Sequence, residues 1–98
     1  MDKDKILEAL ESLSEDQWTQ GDYVNDGKYC ALGWLLHHQG LSDEEMLDIC
    51  DVERRLLAFQ EYGLDSFDRM FLTTVNDTSV TLEEVRQRIK TGDNSSYE

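Results

Sequence analysis

The chain has 98 residues, of which 22 are Asp or Glu and 9 are Lys or Arg, giving a formal net charge of -13. This charge argues against nucleic acid or an anionic membrane surface as a partner, because affinity for either depends on protein cations. It favours a basic protein partner, although a charge far from zero also simply keeps a small protein soluble.

The longest apolar run, Cys30 to Leu36, is far too short to span a bilayer. The N-terminal segment MDKDKILEAL is acidic and amphipathic, unlike the basic-then-apolar pattern of a signal peptide. We therefore expect a cytoplasmic protein. In a reducing compartment its two cysteines, Cys30 and Cys50, would remain free thiols.

Helical spacing of apolar residues predicts a mostly α fold, with about five helices and one short β-hairpin in a single small domain over residues 1–92. The first helix is expected to run from about Asp2 or Lys3 to Leu13. Ser14 then opens a capping-box pattern, which predicts a new helical turn leading into Trp18.

The segment GDYVNDGKY is typical of a small β-hairpin, because Asn25-Asp26-Gly27 supplies the positive φ angles of a tight turn. The next helix is expected from about Cys30 to Gln39, with Gly40 as its left-handed stop. An isolated hairpin is marginally stable, so this one is expected to lean on the helices.

Capping signals predict further helices in the second half of the chain. The expected elements are a helix from Asp43 to about Cys50 or on to Tyr62, a short helix capped by Asp65, a loop at 73–79, a last helix from Thr81 to Gly92, and a flexible polar tail at 93–98. The inner face of the first of these helices is expected to comprise Met46, Leu47, Ile49 and Cys50. Val80 is expected to pack on Val85 at the start of the last helix.

The stretch GKYCALGWLLHHQG contains a cysteine and two histidines, but its spacing disfavours both metal binding and a Cys–His nucleophile. Cys30 and His37 are separated by about 10 Å along a helix axis, whereas zinc ligands lie about 2 Å from the metal. The same separation keeps both histidines from acting as a base for the thiol. We predict no metal site and no cofactor. Cys30 is the only catalytic candidate, because a helix start lowers the pKa of a thiol.

Close packing is the simpler interpretation of this stretch. Gly33 in a helix interior costs roughly 0.5 to 1 kcal/mol relative to Ala. A glycine at that position predicts a close approach by another element, either the ring of Trp18 or the backbone of the hairpin.

The segment WTQGDYVNDGKYCALGWL, a later Asn-Asp pair and the final TLEEVRQRI resemble a family of small uncharacterised proteins of bacteria and their phages. The matching positions are Trp18, Gly21, Tyr23, Gly27, Cys30, Ala31, Leu32, Gly33, Asn76 and Asp77. The resemblance covers about residues 6–90 and implies the predicted architecture and a bacterial or phage setting, but no activity. Trp34 departs from the pattern, since such proteins more often have a small residue after the glycine.

The motif residues also suggest a candidate pocket. An aromatic wall, a thiol and two polar side chains would suit a small ligand. The residues of this candidate pocket are Trp18, Tyr23, Cys30, Asn76 and Asp77. Local hydrogen bonding of the Asn-Asp pair to backbone amides is the structural alternative.

Carboxylates at helical spacing and the lack of a catalytic constellation favour a binding protein over an enzyme. We predict an inhibitor or adaptor from a phage or mobile element. Its carboxylates would imitate phosphates on a basic partner such as a CRISPR effector, a restriction enzyme or a repressor. The predicted binding residues are Asp4, Glu8, Glu11 and Glu15 in one row, if the first helix extends that far, and Glu44, Asp48 and Asp51 in another. The alternative is a thiol-dependent enzyme or small-ligand sensor centred on Cys30.

Overall fold

The computed structural model describes residues 1–92, which form six α-helices and one two-stranded antiparallel hairpin. In chain order these are α1 (Lys3–Leu10), β1 (Val24–Asn25), β2 (Lys28–Tyr29), α2 (Ala31–His38), α3 (Asp43–Leu47), α4 (Val52–Gln60), α5 (Ser66–Thr78) and α6 (Leu82–Thr91), with 3₁₀ turns at Glu15–Gln17 and Ile49–Asp51. The predicted mostly α fold with one short hairpin is confirmed. The predicted tail, 93–98, lies outside the described residues.

Helix α2 forms the centre of the fold. All six residues from Ala31 to Leu36 are buried, and none of them is charged. A helix that is apolar all round must be covered on every side. Accordingly α1, α4 and α5 all contact α2, while α6 packs against α1 and α5.

The hairpin forms with the predicted turn. Val24 pairs with Tyr29 and Asn25 with Lys28. The two turn residues, Asp26 and Gly27, have φ angles of 53° and 79°. Two successive left-handed residues match the twist of a tight hairpin, which explains the Asp-Gly sequence here.

Helix α1 is shorter than predicted, because it ends at Leu10 rather than Leu13. The carbonyls of Leu10 and Leu13 accept hydrogen bonds of 2.8 and 2.7 Å from Nη2 of Arg86 on α6. A guanidinium therefore satisfies carbonyls at the helix end that a longer helix would have bonded internally.

The long helix considered for residues 43–62 is interrupted at Asp48, where ψ is 119°. The Asp48 carboxylate accepts a 2.8 Å hydrogen bond from the Cys50 amide and so caps the following 3₁₀ turn. Because the helix is interrupted, the residues predicted for its inner face are not all buried. Met46 is buried as expected, whereas Leu47 is 57% exposed and Cys50 is exposed.

Helix α5 is longer than predicted, because 73–78 of the expected loop are helical. Leu72, Val75 and Asn76 on this helix are buried. Tertiary packing thus outweighs the weak helix propensity of the Thr, Asn and Asp residues.

Helix α6 begins and ends as predicted. The Thr81 hydroxyl accepts a 3.1 Å hydrogen bond from the Glu84 amide, and Gly92 ends the helix with φ of 75°. Val80 remains exposed, so its predicted packing on Val85 is wrong. Instead the Val80 amide donates to the Glu84 carboxylate at 3.0 Å.

Candidate functional site

Asn76 on α5 lies at the centre of the predicted pocket residues and is only 2% exposed. Its Oδ1 accepts hydrogen bonds from the indole N–H of Trp18 at 2.7 Å and from the Ala31 amide at 2.9 Å. Its Nδ2 donates to the Thr19 carbonyl at 3.1 Å and to Asp77 Oδ1 at 3.2 Å. One side chain therefore connects α5, the start of α2 and the segment before the hairpin.

Asp77 and Gln20 strengthen the same connection. Asp77 Oδ1 accepts a 2.9 Å hydrogen bond from the Gly21 amide. Gln20 Nε2 lies 2.7 Å from the Ser79 carbonyl and 3.2 Å from two others at the end of α5. Terminal helix carbonyls need such external donors. We refer to this cluster as the Asn76 junction, which comprises Trp18, Thr19, Gln20, Gly21, Ala31, Asn76 and Asp77.

Cys30 is the N-cap residue of α2, and its sulfur accepts a 3.3 Å hydrogen bond from the Gly33 amide. The side chain is buried, and this burial raises the pKa of the thiol to about 11 despite the backbone amides that lower it. The direction is opposite to that expected for a helix start, because desolvation of the thiolate outweighs the amide contacts. Cys30 is therefore a neutral thiol at neutral pH, which disfavours its use as a nucleophile.

Gly33 is where the hairpin backbone reaches α2, one of the two approaches predicted. A Cβ placed on Gly33 would lie 1.8 Å from the Tyr23 carbonyl oxygen. That carbonyl also accepts a 3.2 Å hydrogen bond from the Cys30 amide. Only a residue without a side chain allows this contact.

The structure thus brings together the residues of the predicted pocket, but it pairs the polar atoms of Trp18, Asn76 and Asp77 with one another and with the backbone. Tyr23 lines a shallow concavity of about 290 Å³ together with Leu47 and Thr73. A role for these residues in ligand binding remains a prediction.

The two histidines lie at the other end of α2 from Cys30. The His37 ring stacks on Trp34, with ring centroids 4.9 Å apart, and His38 Nε2 lies 3.0 Å from Ser12 Oγ. Sequence reasoning missed the Ser12–His38 contact, because nothing local links residues 26 positions apart. In the part of the chain from 1 to 92, no three or more His, Cys, Asp or Glu residues are grouped to hold a metal ion.

The first predicted acidic row does not form one helical stripe, because α1 ends before Glu15. Asp4, Glu8 and Glu11 line a shallow groove of about 360 Å³, whose opposite wall on α6 includes Arg86 and Lys90. Their negative charge is therefore partly offset by these two cations.

Glu15 has a different position and a structural role that sequence reasoning missed. It lies in the 3₁₀ turn, where its Oε1 accepts a 2.7 Å hydrogen bond from the Leu82 amide. The carboxylate thereby caps the N-terminus of α6, where a negative charge is stabilising.

The second acidic row is divided between two elements. Glu44 lies in the first turn of α3, Asp48 lies at the break after α3, and Asp51 ends the following 3₁₀ turn. Glu44 and Asp48 are exposed, and Asp51 is half-buried. Nearby, the Arg55 guanidinium donates to the Glu45 and Asp48 carbonyls at 3.1 and 2.5 Å instead of pairing with a carboxylate of this row.

The chain matches no family model, no curated protein and no solved structure. Over residues 1–92, no helix combines the length and the apolar character needed to cross a membrane.

Proposed function

We propose that this chain is a small acidic binding protein that docks on a basic protein partner, acting as an inhibitor or adaptor. The observation that carries the proposal is the use of the cations. Most of the arginines donate to the chain's own backbone carbonyls, and only four carboxylates within residues 1–92 lie in ion pairs, so most of the carboxylates there have no directly bound cation.

Three arginines illustrate this use. Arg55 donates to two carbonyls around the α3–α4 break, and Arg86 donates to two carbonyls at the end of α1. Arg88 is buried and donates to the Val75 carbonyl of α5 at 3.4 Å, and it also donates to the Thr78 and Ser79 hydroxyls at 2.8 and 3.0 Å. Cations used in this way stabilise helix ends.

The carboxylates are mostly not paired. The ion pairs formed among residues 1–92 are Met1 with Asp68, Lys5 with Glu61, Arg54 with Glu45, and Arg86 with Glu83. None of the seven predicted binding carboxylates takes part in these pairs. A surface with such an excess of one charge accelerates encounter with a surface of the opposite charge and makes the association salt-dependent.

A nucleic-acid-binding protein is the partner class that fits this charge, since its phosphate-binding surface is basic. In this proposal the exposed carboxylates occupy part of that surface in place of phosphates. Together with the resemblance to small bacterial and phage proteins, this suggests a cytoplasmic inhibitor of a host defence or DNA-binding protein, including a CRISPR effector.

The test starts from partners co-purified from bacterial lysate and then measures binding of each purified partner over a range of salt concentrations. We expect the dissociation constant to rise steeply with salt, and we expect the acidic chain to displace DNA from the partner. An affinity that does not change with salt would refute the proposal.

Two matched double variants locate the contact, since each removes two negative charges. Glu44→Gln with Asp51→Asn should weaken binding more than Glu8→Gln with Glu11→Gln, because the latter pair already faces Arg86 and Lys90 across a groove. Equal losses would mean that net charge alone determines the affinity.

A further inference from the structure

Large hydrophobic side chains are exposed mainly on one part of the described chain. Six of the eight such residues in 1–92 belong to α3, α4 and α5. One of the six, Leu57, lines a separate concavity with Gln39 and Leu41. We call the other five the apolar surface, which comprises Leu47, Val52, Leu56, Phe67 and Met70. Phe67 and Met70 are the most exposed of the five, at 78% and 67%. Single exposed hydrophobics need no explanation, whereas a group of them marks an interaction site.

Two shallow concavities show that these helices adjoin. Leu56 on α4 and Arg69 on α5 line one of about 330 Å³. Leu47 on α3 and Thr73 on α5 line another of about 290 Å³. Arg69 and Thr73 are one turn apart on α5, with Met70 between them in sequence.

Helical spacing joins the remaining residues to this strip. Phe67 precedes Met70 by three residues on α5, and Val52 precedes Leu56 by four on α4. Side chains at these spacings are neighbours on a helix surface. The apolar surface thus comprises one neighbouring pair on α4, one on α5, and Leu47 on α3, and we refer to these residues together as the strip.

Carboxylates surround this strip. Asp22 lines the concavity beside Leu47, and Asp65 lines the concavity beside Leu56. Asp48, Asp51 and Glu53 occupy the chain between Leu47 and Leu56, together with Arg55 and with Arg54, which pairs with Glu45.

The nearby cations offset only part of this charge, since fewer of them than carboxylates lie beside the strip. Arg55 donates to carbonyls at the α3–α4 break, and the Arg69 guanidinium lies over the Phe59 ring, 5.6 Å from its centroid. The strip therefore combines an apolar centre with an acidic rim.

We propose that the apolar surface binds an amphipathic helix of the partner, whose apolar stripe lies on Phe67 and Met70 while its flanking Lys and Arg side chains meet the acidic rim. This inference rests on the proposed function and adds where and how the partner is held. Helix recognition by an apolar surface is a recurrent mode of binding, and unbranched Met adapts to the shape of a bound helix.

The negative charge around the strip favours a basic amphipathic helix over a second copy of the chain or an anionic membrane. A second copy of the chain would bring another net charge of -13 to the same surface, and an anionic membrane would also be repelled. A basic amphipathic helix is attracted by the rim and buries the centre.

The experiment uses two synthetic peptides of equal composition and charge. One is an amphipathic Leu/Lys helix, and the other is a scrambled peptide with no apolar stripe. Calorimetry measures the affinity of each peptide for the full chain. Methyl NMR of the methionines locates the contact, because Met70 is exposed whereas Met46 is buried.

We expect the amphipathic peptide to bind more tightly than the scrambled one and to shift the Met70 methyl resonance without shifting Met46. Phe67→Ser with Met70→Ser should weaken this binding by about tenfold or more. Leu57→Ser with Val80→Ser, which alters two exposed hydrophobics outside the apolar surface, should leave it within about twofold.

The possible results of this experiment distinguish failure of this inference from failure of the proposed function. Equal binding of both peptides would overturn the apolar contact while supporting a partner chosen by charge. Equal binding of the amphipathic peptide by both double variants would overturn this location only. No binding of either peptide would count against both proposals, and concentration-dependent dimerisation of the free chain through Met70 would overturn the choice of occupant.

Discussion

The Asn76 junction and the apolar surface both include residues of α5. At the junction the side chains are hydrogen-bonded within the protein, whereas on the apolar surface they are exposed to solvent. At the junction a buried amide makes three hydrogen bonds to distant parts of the chain and a fourth to the adjacent Asp77. On the apolar surface, Phe67 and Met70 extend into solvent from the same helix. One face of α5 is fixed by internal bonds, and the other is available for contact.

This difference shows that chemically distinctive residues in a sequence can have a structural role rather than a role in binding or catalysis. Trp18, Cys30 and the Asn-Asp pair are the chemically distinctive residues, yet in the structure they connect the chain to itself. The residues free to meet a partner are ordinary carboxylates and apolar side chains. Substitutions in the junction should therefore lower stability, and substitutions in the apolar surface should weaken binding.

The largest expected effect comes from Asn76→Ala. The substitution leaves the Trp18 indole N–H and the Ala31 amide without an acceptor and the Thr19 carbonyl without a donor. Because each buried group left unpaired costs about 1 to 3 kcal/mol, we expect the free energy of unfolding to fall by about 4 kcal/mol, measured by urea denaturation. Thr74→Ala, at an exposed position on the same helix, should change it by less than about 0.5 kcal/mol. Similar values for the two variants would contradict the proposed role of the junction.

Gly33→Ala should be the next most damaging change. The added methyl group overlaps the Tyr23 carbonyl, so either the hairpin or α2 must move. We expect a loss of about 3 kcal/mol in the same denaturation experiment, despite the better helix propensity of alanine. Gly40→Ala is the control, because a Cβ there meets no atom within 4 Å and only the positive φ of 88° is unfavourable. Its expected cost is about 1 kcal/mol, and a larger loss than for Gly33→Ala would mean that the close approach is not limiting.

Alkaline pH should weaken the folded state through Cys30. Its pKa is raised from 9.0 to about 11 by burial, so the folded chain keeps this proton over a range in which the unfolded chain has lost it. The unfolded state then binds fewer protons, and the free energy of unfolding falls as pH rises from about 9 to about 11. We expect a decline of about 2 kcal/mol from this group.

The contribution of Cys30 is isolated by comparison with Cys30→Ala, whose stability should decline less over the same range. In a Cys50→Ser variant, the remaining thiol should also stay unmodified by an alkylating reagent at neutral pH until the protein unfolds. Rapid modification of the folded variant would restore the thiol-based alternative.

The smallest effect concerns the carboxylates themselves. Glu15→Ala removes the acceptor for the Leu82 amide at the start of α6 and should cost about 1 kcal/mol of unfolding free energy. Glu11→Ala removes an equal charge at the C-terminal end of α1, where a carboxylate is unfavourable, and should be neutral or slightly stabilising. If both substitutions were equally harmless, the capping role of Glu15 would be wrong.

Local signals in the sequence predicted much of the fold. The pair Ser42 and Glu45 forms a reciprocal capping box at the start of α3, and Asp65 forms another with Asp68 at the start of α5. The Asp-Gly turn and the stop at Gly92 were also predictable, because each depends on the conformational preference of one or two residues.

Elements that depend on distant partners were not predictable in the same way. The end of α1 is bound by Arg86, which is 76 residues from Leu10, and the helical state of 73–78 is supported by burial of Val75 and Asn76. The motif residues were recognised as a group, but their pairing was not, since the Trp18–Asn76 hydrogen bond spans 58 residues. Side chains such as Gln20 and Glu15 have no local pattern that would reveal their bonds.

The long span between Trp18 and Asn76 also orders events during synthesis of the chain. The amide that begins the central helix α2 obtains its acceptor only after α5 has left the ribosome. Until then the hairpin and the first two helices lack a bond that fixes their relative positions, and closing so large a loop is a slow step in folding. The core of the N-terminal half therefore forms fully only when α5 packs against it. A chain released before α5 would lack these contacts.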